Sequence, residues 1–388
     1  MPSKNAAALS RECRMADHHM TLLRASILNF PLIVGVVYIH NSRTAVHIGN
    51  GSVGAVHVSA WVDFVMFFIS GGISSVAVPL FLLICGYLFF LKLSKWSWER
   101  YVGKIKRRIH TLLIPFIFWN LMSLLVYTIG QSFSKTKKYF VGTLWPPVDS
   151  SFIGYIGAMF GITTIFPIAG QFWFIRDLMA LVVLAPVIYF ILTRKIALPF
   201  LIVLFGLWYF NIWPVLWPNV FATFFFSLGA YLSLSGKNVA YLDRFGPWIN
   251  LIFICLITLK FYLPESLTYP NILVIVFGVP SLWWLTKLAI RMATLKLWLL
   301  QLSEASFFIF AAHGQLELII RKILYRMIVP TSGEAILALY FLIPIFLIAL
   351  LVVSYRYLSR TTPSVLNFIT GSSYSNRQVD KYSVGTVQ

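Results

Sequence analysis

Charged residues are scarce in this chain, and acids are the scarcest of them. Only 11% of the 388 residues are charged, with 12 Asp and Glu against 31 Lys and Arg, while 59% are hydrophobic. A chain of this composition has more apolar surface than one or two soluble domains can bury within themselves. The composition therefore excludes an ordinary soluble protein and indicates that the chain lies in a lipid bilayer.

Cysteine and the marks of a signal peptide are also lacking. The three cysteines, Cys13, Cys85 and Cys255, are too few and too scattered for a disulfide framework or a metal site, so we predict structural roles for them and no bound metal. The polar start of the chain has neither the apolar core nor the small-residue cleavage site of a signal peptide. We therefore expect the first hydrophobic run to remain in the mature protein.

Long hydrophobic runs are the dominant feature that is present. A helix needs about 20 mostly apolar residues to cross the bilayer, and the sequence predicts an all-α, polytopic integral membrane bundle of about ten transmembrane helices. The second run is long, and its middle, SGGISSVAVP, predicts a break or a re-entrant turn. The ten runs lie near residues 24–42, 62–92, 109–130, 171–192, 198–213, 216–234, 248–264, 271–288, 298–320 and 335–357.

Basic residues cluster in short connections between these runs, a pattern that sets membrane orientation and does not require a nucleic-acid partner. The connection from Lys92 to Arg108 carries seven basic residues against one acid, so we predict that it and both termini are cytoplasmic. Arg321, Lys322 and Arg326 oppose this arrangement, because the alternation of helices places their connection outside. The predicted segments are a cytoplasmic arm over residues 1–20, a membrane domain over residues 21–360 and a cytoplasmic, disordered tail over residues 361–388.

Ionisable side chains inside the apolar runs are candidates for a site, because a charge at bilayer depth is costly. Four of them come from distant parts of the chain to a similar depth near the predicted outer side: His40, Arg176, His313 and Glu317. His313 and Glu317 are four residues apart and share a helical face. Together they indicate a polar cavity with acid/base capacity, although an interfacial histidine and a helix-helix hydrogen bond also fit His40 and His313.

A basic segment opens the third predicted helix with the sequence KIKRRIHTLLIPF. Lys104, Arg107 and Arg108 in this segment fit a topology signal or an anchor for anionic membrane lipid. They also fit a site that holds a phosphorylated donor at the cytoplasmic face.

Five stretches, in the same order along the chain, resemble the acyltransferase-3 family of integral membrane acyltransferases. The resemblance covers roughly residues 20 to 360 and agrees with the ten-helix core of that family. The chain departs from the family at Asn29, where an arginine often stands eleven residues before the histidine, and Arg24 is the nearest candidate. The five stretches are VVYIHN, VPLFLLICGYLFF, KIKRRIHTLLIPFIFWN, QFWFIRDL and SFFIFAAHG.

The resemblance implies transfer of an acyl group, most often acetyl, from cytoplasmic acyl-CoA to a hydroxyl of a cell-surface or periplasmic glycan or lipid-linked saccharide. No cofactor is expected to stay bound, and the bacterial inner membrane is the expected location. The histidine of the family corresponds to His40, and its basic motif corresponds loosely to Lys104, Arg107 and Arg108.

Neutral imidazole suits the removal of a hydroxyl proton, so His40 is the predicted general base. A carboxylate from Glu317, Asp63 or Asp177 would orient it, and Arg176 would stabilise the oxyanion or position the acceptor. A transporter or exporter of a small polar solute is the alternative, because ten helices around an outward polar cavity would serve a solute equally well.

Overall fold

The structure is a computed structural model that describes residues 4–55, 57–91, 93, 96–140, 151–162, 164–213, 217–236, 239–264, 267 and 269–372. Its described part is built from helices and one small β-hairpin. The hairpin joins β1 (Ala45–Ile48) to β2 (Gly51–Gly54), antiparallel, with Ala45 opposite Gly54. The helices are α1 (Lys4–His40), α2 (Ala60–Phe67), α3 (Ala77–Phe90), α4 (Trp98–Arg108), α5 (Ile114–Ser132), α6 (Ser134–Lys137), α7 (Phe152–Phe160), α8 (Trp173–Val183), α9 (Ala185–Leu192), α10 (Ala197–Tyr209), α11 (Val220–Ser235), α12 (Gly246–Tyr262), α13 (Tyr269–Arg291), α14 (Ala293–Ser303), α15 (Ser306–Ile328), α16 (Gly333–Thr361) and α17 (Pro363–Thr370).

Within the described residues, six helical segments are long and apolar enough to cross a membrane, and the number rises to eight if each of two bent pairs is one span. The pairs are α8 with α9, bent by 62°, and α14 with α15, bent by 63°. Two shorter apolar helices, α10 and α11, lie at the fifth and sixth predicted runs. Each predicted run thus coincides with helical structure, and the polytopic all-α bundle is confirmed. The length and composition of the helices support six to eight membrane spans.

The second predicted run contains a local break, but the segment Ala60–Phe90 is long and apolar enough to cross the membrane as one span. A π-helical turn at Phe68–Gly72 and a 3₁₀ turn at Ile73–Val76 separate α2 from α3. A Cβ on Gly72 would lie 2.5 Å from Ile257 Cγ2, so the glycine allows α12 to approach at the break. The predicted irregularity is therefore present as a change of helix type inside one span.

Helix α1 continues without interruption from the predicted N-terminal arm into the first span. His18, which lies in that arm, places its Nδ1 atom 3.3 Å from the Tyr87 hydroxyl. Arg24 forms a buried, bidentate ion pair with Asp243, with nitrogen-oxygen distances of 2.6 and 3.1 Å. Arg24 therefore holds α1 against the segment before α12, where a buried charge needs a partner of opposite sign.

Two stretches predicted to be loop or disordered tail are helical. Helix α15 continues to Ile328, so Arg321, Lys322 and Arg326 belong to a helix and not to a free connection, and their charge still opposes the predicted orientation. In the predicted tail, α17 buries Leu366, and Trp119 donates a 2.9 Å hydrogen bond to the Ile369 carbonyl. The remainder of that tail, residues 373–388, lies outside the described residues.

Candidate functional site

The segment that follows α1 is fixed by hydrogen bonds to α15 and α16. Arg321 Nη1 donates to the His40 carbonyl at 2.8 Å, and Tyr325 donates from its hydroxyl to the Arg43 carbonyl at 3.3 Å. Asn41 Nδ2 donates to the Tyr340 carbonyl at 2.9 Å. Because two successive turns of α15 bond this backbone and α16 bonds the Asn41 side chain, the His40 end of α1 has a defined position beside α15.

The structure brings His40 and His313 together, although 272 residues separate them in the chain. Their ring centroids are 5.2 Å apart, with an angle of 54° between the ring planes. His40 is exposed, whereas His313 has no exposed surface. An incoming molecule can therefore contact the first imidazole, and the second lies directly behind it.

The hydrogen bonds of His313 define which ring nitrogen carries its proton. Nδ1 lies 2.7 Å from the Phe310 carbonyl and 3.2 Å from the Ile309 carbonyl. Because carbonyl oxygens only accept, neutral His313 has its hydrogen on Nδ1 and a lone pair on Nε2. Nε2 is buried and has no hydrogen-bond partner. Nε2 can therefore accept a proton. The backbone of α15, and not a carboxylate, fixes the tautomer of the His313 ring.

Glu317 lies one helical turn beyond His313 and is paired with Arg321. The nearest nitrogen and oxygen of the pair are 2.9 Å apart, and both side chains are 4% exposed. Since Arg321 also bonds the His40 carbonyl, the pair connects α15 to the end of α1. Glu317 is thus part of the histidine site through Arg321.

The other two carboxylates that the sequence left open as partners of His40 are used elsewhere. Asp177 pairs with Arg176 at 3.0 Å and accepts a 2.9 Å hydrogen bond from the Asn219 amide. Asp63 lines a separate cavity of about 390 Å³ beside Lys260. Glu317 is therefore the candidate carboxylate that the fold places beside the histidines.

The 3₁₀ turn Gly170–Phe172 packs against α15 next to His313. Gln171 Nε2 donates to the Ala311 carbonyl at 3.0 Å, and Gln315 Nε2 donates to the Ser123 hydroxyl. A Cβ on Gly314 would lie 2.6 Å from Gln171 Oε1, so a larger residue here would displace the end of the Gln171 side chain. The AAHG stretch therefore combines a proton acceptor with the small residues that let neighbouring elements close around it.

The chemistry open to this site is proton transfer by imidazole. The described residues contain no group of three or more His, Cys, Asp and Glu side chains that could hold a metal ion. An exposed imidazole that is backed by a buried, unpartnered nitrogen suits a general base acting on an incoming hydroxyl.

Residues 31–369, most of the chain, match the family model of the acyltransferase-3 domain. The chain belongs to the acyltransferase-3 family. Its helices make it an integral, multi-pass membrane acyltransferase. This acyltransferase is also similar to the succinoglycan biosynthesis protein ExoH of Rhizobium meliloti (strain 1021), with 27% identity over 368 residues, which are 90% of this chain and 92% of the relative. No solved structure matches.

The three basic residues predicted to hold the acyl donor of this acyltransferase lie in different surroundings. Lys104 donates to the Phe89 carbonyl and lies over the Phe89 ring, with its nitrogen 4.7 Å from the ring centroid. Arg107 is exposed, whereas Arg108 is half-buried and lines a cavity of about 280 Å³. Lys104 thus caps the end of α3, and Arg108 is the predicted donor residue that faces a cavity.

Arg176 lines the same cavity as Arg108 and makes no described contact with the two histidines of the acyltransferase. Its Nε and Nη2 atoms contact Asp177 at 3.1 and 3.0 Å, although the two residues are adjacent on one helix. Its Nη1 atom lies 3.3 to 3.5 Å from the carbonyls of Phe160, Gly161 and Ile165. The guanidinium therefore anchors the segment after α7 and forms part of the cavity wall.

The candidate site of this acyltransferase includes two residues that are absent from the sequence prediction, Arg321 and Arg43. From the sequence, Arg321 belongs to a connection between helices, and Arg43 has no predicted role. The spacing of Glu317 and Arg321, four residues apart, is a helical pairing signal that would have extended α15 and drawn Arg321 into the site. Nothing local to Arg43 distinguishes it, because its place depends on how the loop is held.

Proposed function

We propose that this acyltransferase moves an acyl group, most simply acetyl, from cytoplasmic acyl-CoA to a hydroxyl of a cell-surface or periplasmic glycan or lipid-linked saccharide. The observation that carries the proposal is the pair of facing imidazoles, of which His313 presents an unpartnered Nε2. The similarity to a succinoglycan biosynthesis protein supports a polysaccharide as the acceptor. The bacterial inner membrane, with both termini cytoplasmic, is the location that fits a cytoplasmic donor and an outer acceptor.

In the proposed reaction, His40 contacts the acceptor, because it is the exposed member of the pair. It removes the hydroxyl proton as the oxygen attacks the thioester carbonyl, and neutral imidazole is a suitable base near neutral pH. An ester C–O bond forms, the C–S bond breaks, and the CoA thiolate leaves and takes up the proton. His313 stands behind His40 and shares the proton through Nε2. Glu317 and Arg321 hold the His40 end of α1 in place.

The cavity between Arg108 and Arg176 supports a path for the donor. Its wall between the two arginines is apolar and includes Ile105, Met179 and Val183. Such a passage suits the pantetheine arm of acyl-CoA, with Arg108 at the phosphates and Arg176 near the far end. Phe174, which precedes Arg176 on α8, contacts Phe310 with a centroid distance of 4.9 Å, so α8 packs against the helix that carries His313.

Replacement of Arg108 by glutamine is expected to raise the KM for acetyl-CoA by about 10- to 100-fold, because a hydrogen bond to a charged group contributes roughly 1.5–3 kcal/mol. The matched control is Arg107→Gln, which removes the same charge from the adjacent, exposed position. Initial rates at varied acetyl-CoA measure both. A larger effect at Arg107 than at Arg108 would contradict the proposed donor path.

The function itself is tested by mass spectrometry of surface glycans from cells with and without the protein, and by thermal unfolding of the purified protein with CoA. We expect an acyl modification that depends on the protein and an increase in melting temperature with CoA, because a ligand of the native state stabilises it. A transporter would leave the glycans unmodified and would not respond to CoA.

A further inference from the structure

Helix α4 is continuous with the third predicted span, but the span does not need it. The helical segment Trp98–Ser132 has 35 residues, whereas about 20 are enough to cross the hydrocarbon core. Helix α5 and the π-helical turn Ile109–Leu113 before it have 19 and 5 residues and supply the span. The 11 residues of α4 therefore extend from the hydrocarbon into the headgroup region of the bilayer.

One side of α4 packs against the protein. Tyr101, Lys104 and Arg108 are half-buried on this side. The Tyr101 hydroxyl donates a 3.0 Å hydrogen bond to the Val183 carbonyl at the end of α8, and Arg108 lines the donor cavity of the proposed function. These contacts fix the rotation of α4 about its axis and thereby decide which of its side chains face away from the bundle.

The side chains next to this packed side are apolar and exposed. Trp98, Val102 and Ile109 have 59%, 46% and 42% of their surface exposed. Spacings of four and seven residues place all three on one side of the helix. Val183, whose carbonyl accepts the Tyr101 bond, is 63% exposed as well. An exposed apolar surface at the boundary of a membrane bundle is suited to contact with lipid acyl chains.

The next side of α4 is basic. Lys106 and Arg107 are exposed, and their side chains make no hydrogen bond or ion pair with the part of the chain that the structure describes. Glu99 is the single acid in the sequence of α4. Lys106 lies four residues after Val102 and three before Ile109, so basic and apolar surface meet at this position. This pattern is typical of helices that bind anionic bilayers.

We propose that this exposed surface of α4 binds an anionic phospholipid. Lys106 and Arg107 contact its headgroup phosphate, and Val102 and Ile109 contact its acyl chains. The charges are complementary, and the adjoining apolar side chains require a partner with hydrocarbon, which soluble phosphate lacks. The surface differs from the donor site, because Arg108 lies on the packed side, about 100° around the helix from Arg107. The inference goes beyond the proposed function and does not depend on it.

The test measures lipid binding by the purified full chain in non-ionic detergent. Dioleoyl phosphatidylglycerol and dioleoyl phosphatidylcholine are the probes, because they share their acyl chains and differ in net charge. Native mass spectrometry gives the apparent Kd of each lipid for wild type, for Lys106→Gln with Arg107→Gln, and for the charge-preserving pair Lys106→Arg with Arg107→Lys. The matched control is Arg194→Gln with Lys195→Gln, an adjacent and exposed basic pair in the link after α9.

We expect wild type to bind phosphatidylglycerol more tightly than phosphatidylcholine. Lys106→Gln with Arg107→Gln should weaken phosphatidylglycerol binding about 25-fold, from about 5-fold for each basic residue near an anionic headgroup, and should change phosphatidylcholine binding little. The charge-preserving pair should retain the affinity, because the attraction depends on charge. A wild type without preference, or an equal loss in the Arg194 and Lys195 control, would overturn the inference.

Competition with CoA separates the lipid site from the proposed function. We expect CoA to leave phosphatidylglycerol bound and to stabilise wild type and the Lys106→Gln, Arg107→Gln variant equally against thermal unfolding. Displacement of the lipid by CoA, with loss of CoA stabilisation in that variant, would assign both cations to the donor and overturn the inference. Lipid binding that depends on these cations, in a protein that transfers no acyl group, would support the lipid site and refute the proposed function.

Discussion

Replacement of His313 by asparagine is expected to lower kcat for acyl transfer by about 10²- to 10⁴-fold, the range that general base catalysis contributes. Asparagine can still donate to the Phe310 carbonyl from a position similar to Nδ1, so the main chain of α15 keeps its hydrogen bond. It has no basic nitrogen in place of Nε2. The variant therefore removes proton acceptance while the contact that orients the side chain is retained.

The matched controls for His313→Asn are His40→Asn and His47→Asn. His40→Asn is expected to cause a loss of similar size, and the double variant should lose little more than either single one, because residues that act as a unit are not additive. His47 is an exposed histidine on β1, and its replacement should leave activity near the wild-type level. Glycan acylation is measured at matched amounts of folded protein. Retained activity in both His40→Asn and His313→Asn would contradict the assigned chemistry.

Replacement of Arg321 by glutamine is expected to destabilise the protein by about 3–5 kcal/mol, the usual cost of leaving one member of a buried ion pair without its partner. Glu317 is buried beside it, and the Arg321 bond to the His40 carbonyl is lost as well. The change should therefore also displace the end of α1 and lower activity. Denaturant unfolding in bicelles gives the difference in unfolding free energy.

The double variant Glu317→Gln with Arg321→Gln provides the internal check. Removing both charges leaves no uncompensated ion, so the double variant should recover most of the stability that Arg321→Gln loses. Its activity should remain low if the pair positions the histidines. Arg326→Gln, an exposed position on the same helix, serves as the control for loss of charge. A double variant that is less stable than the single one would show that the pair is not a closed electrostatic unit.

The membrane bundle followed from the sequence because bilayer thickness sets the length of a spanning helix. The ten predicted runs coincide with helices, and the glycines before Pro79 marked the change of helix type in the second run. Polar residues within apolar runs also marked His40, His313 and Glu317 as candidates, since a charge at membrane depth is rarely present without a role, and their catalytic roles stay predictions. These inferences depend on local composition and period.

The predictions that depended on partners across the bundle were less successful. Arg176 was expected beside the histidines, but its guanidinium is used by Asp177 and by three carbonyls near Gly161. Lys104, Arg107 and Arg108 were expected to act together, but one helical turn directs them to different surroundings. A sequence gives the side chains available for a contact, and packing decides which of them meet.

The sequence alone therefore determined that this chain is a polytopic membrane protein, and its motifs carried the resemblance to the acyltransferase-3 family. The tertiary structure decided that His40 faces His313, that the α15 backbone fixes the tautomer of His313, and that Arg321 joins Glu317 to the end of α1. The physical reason is the difference in range between the two kinds of information. Hydrophobic periodicity acts over one helix, whereas the close approach at Gly314 and the ion pairs of the site exist only after distant helices have packed.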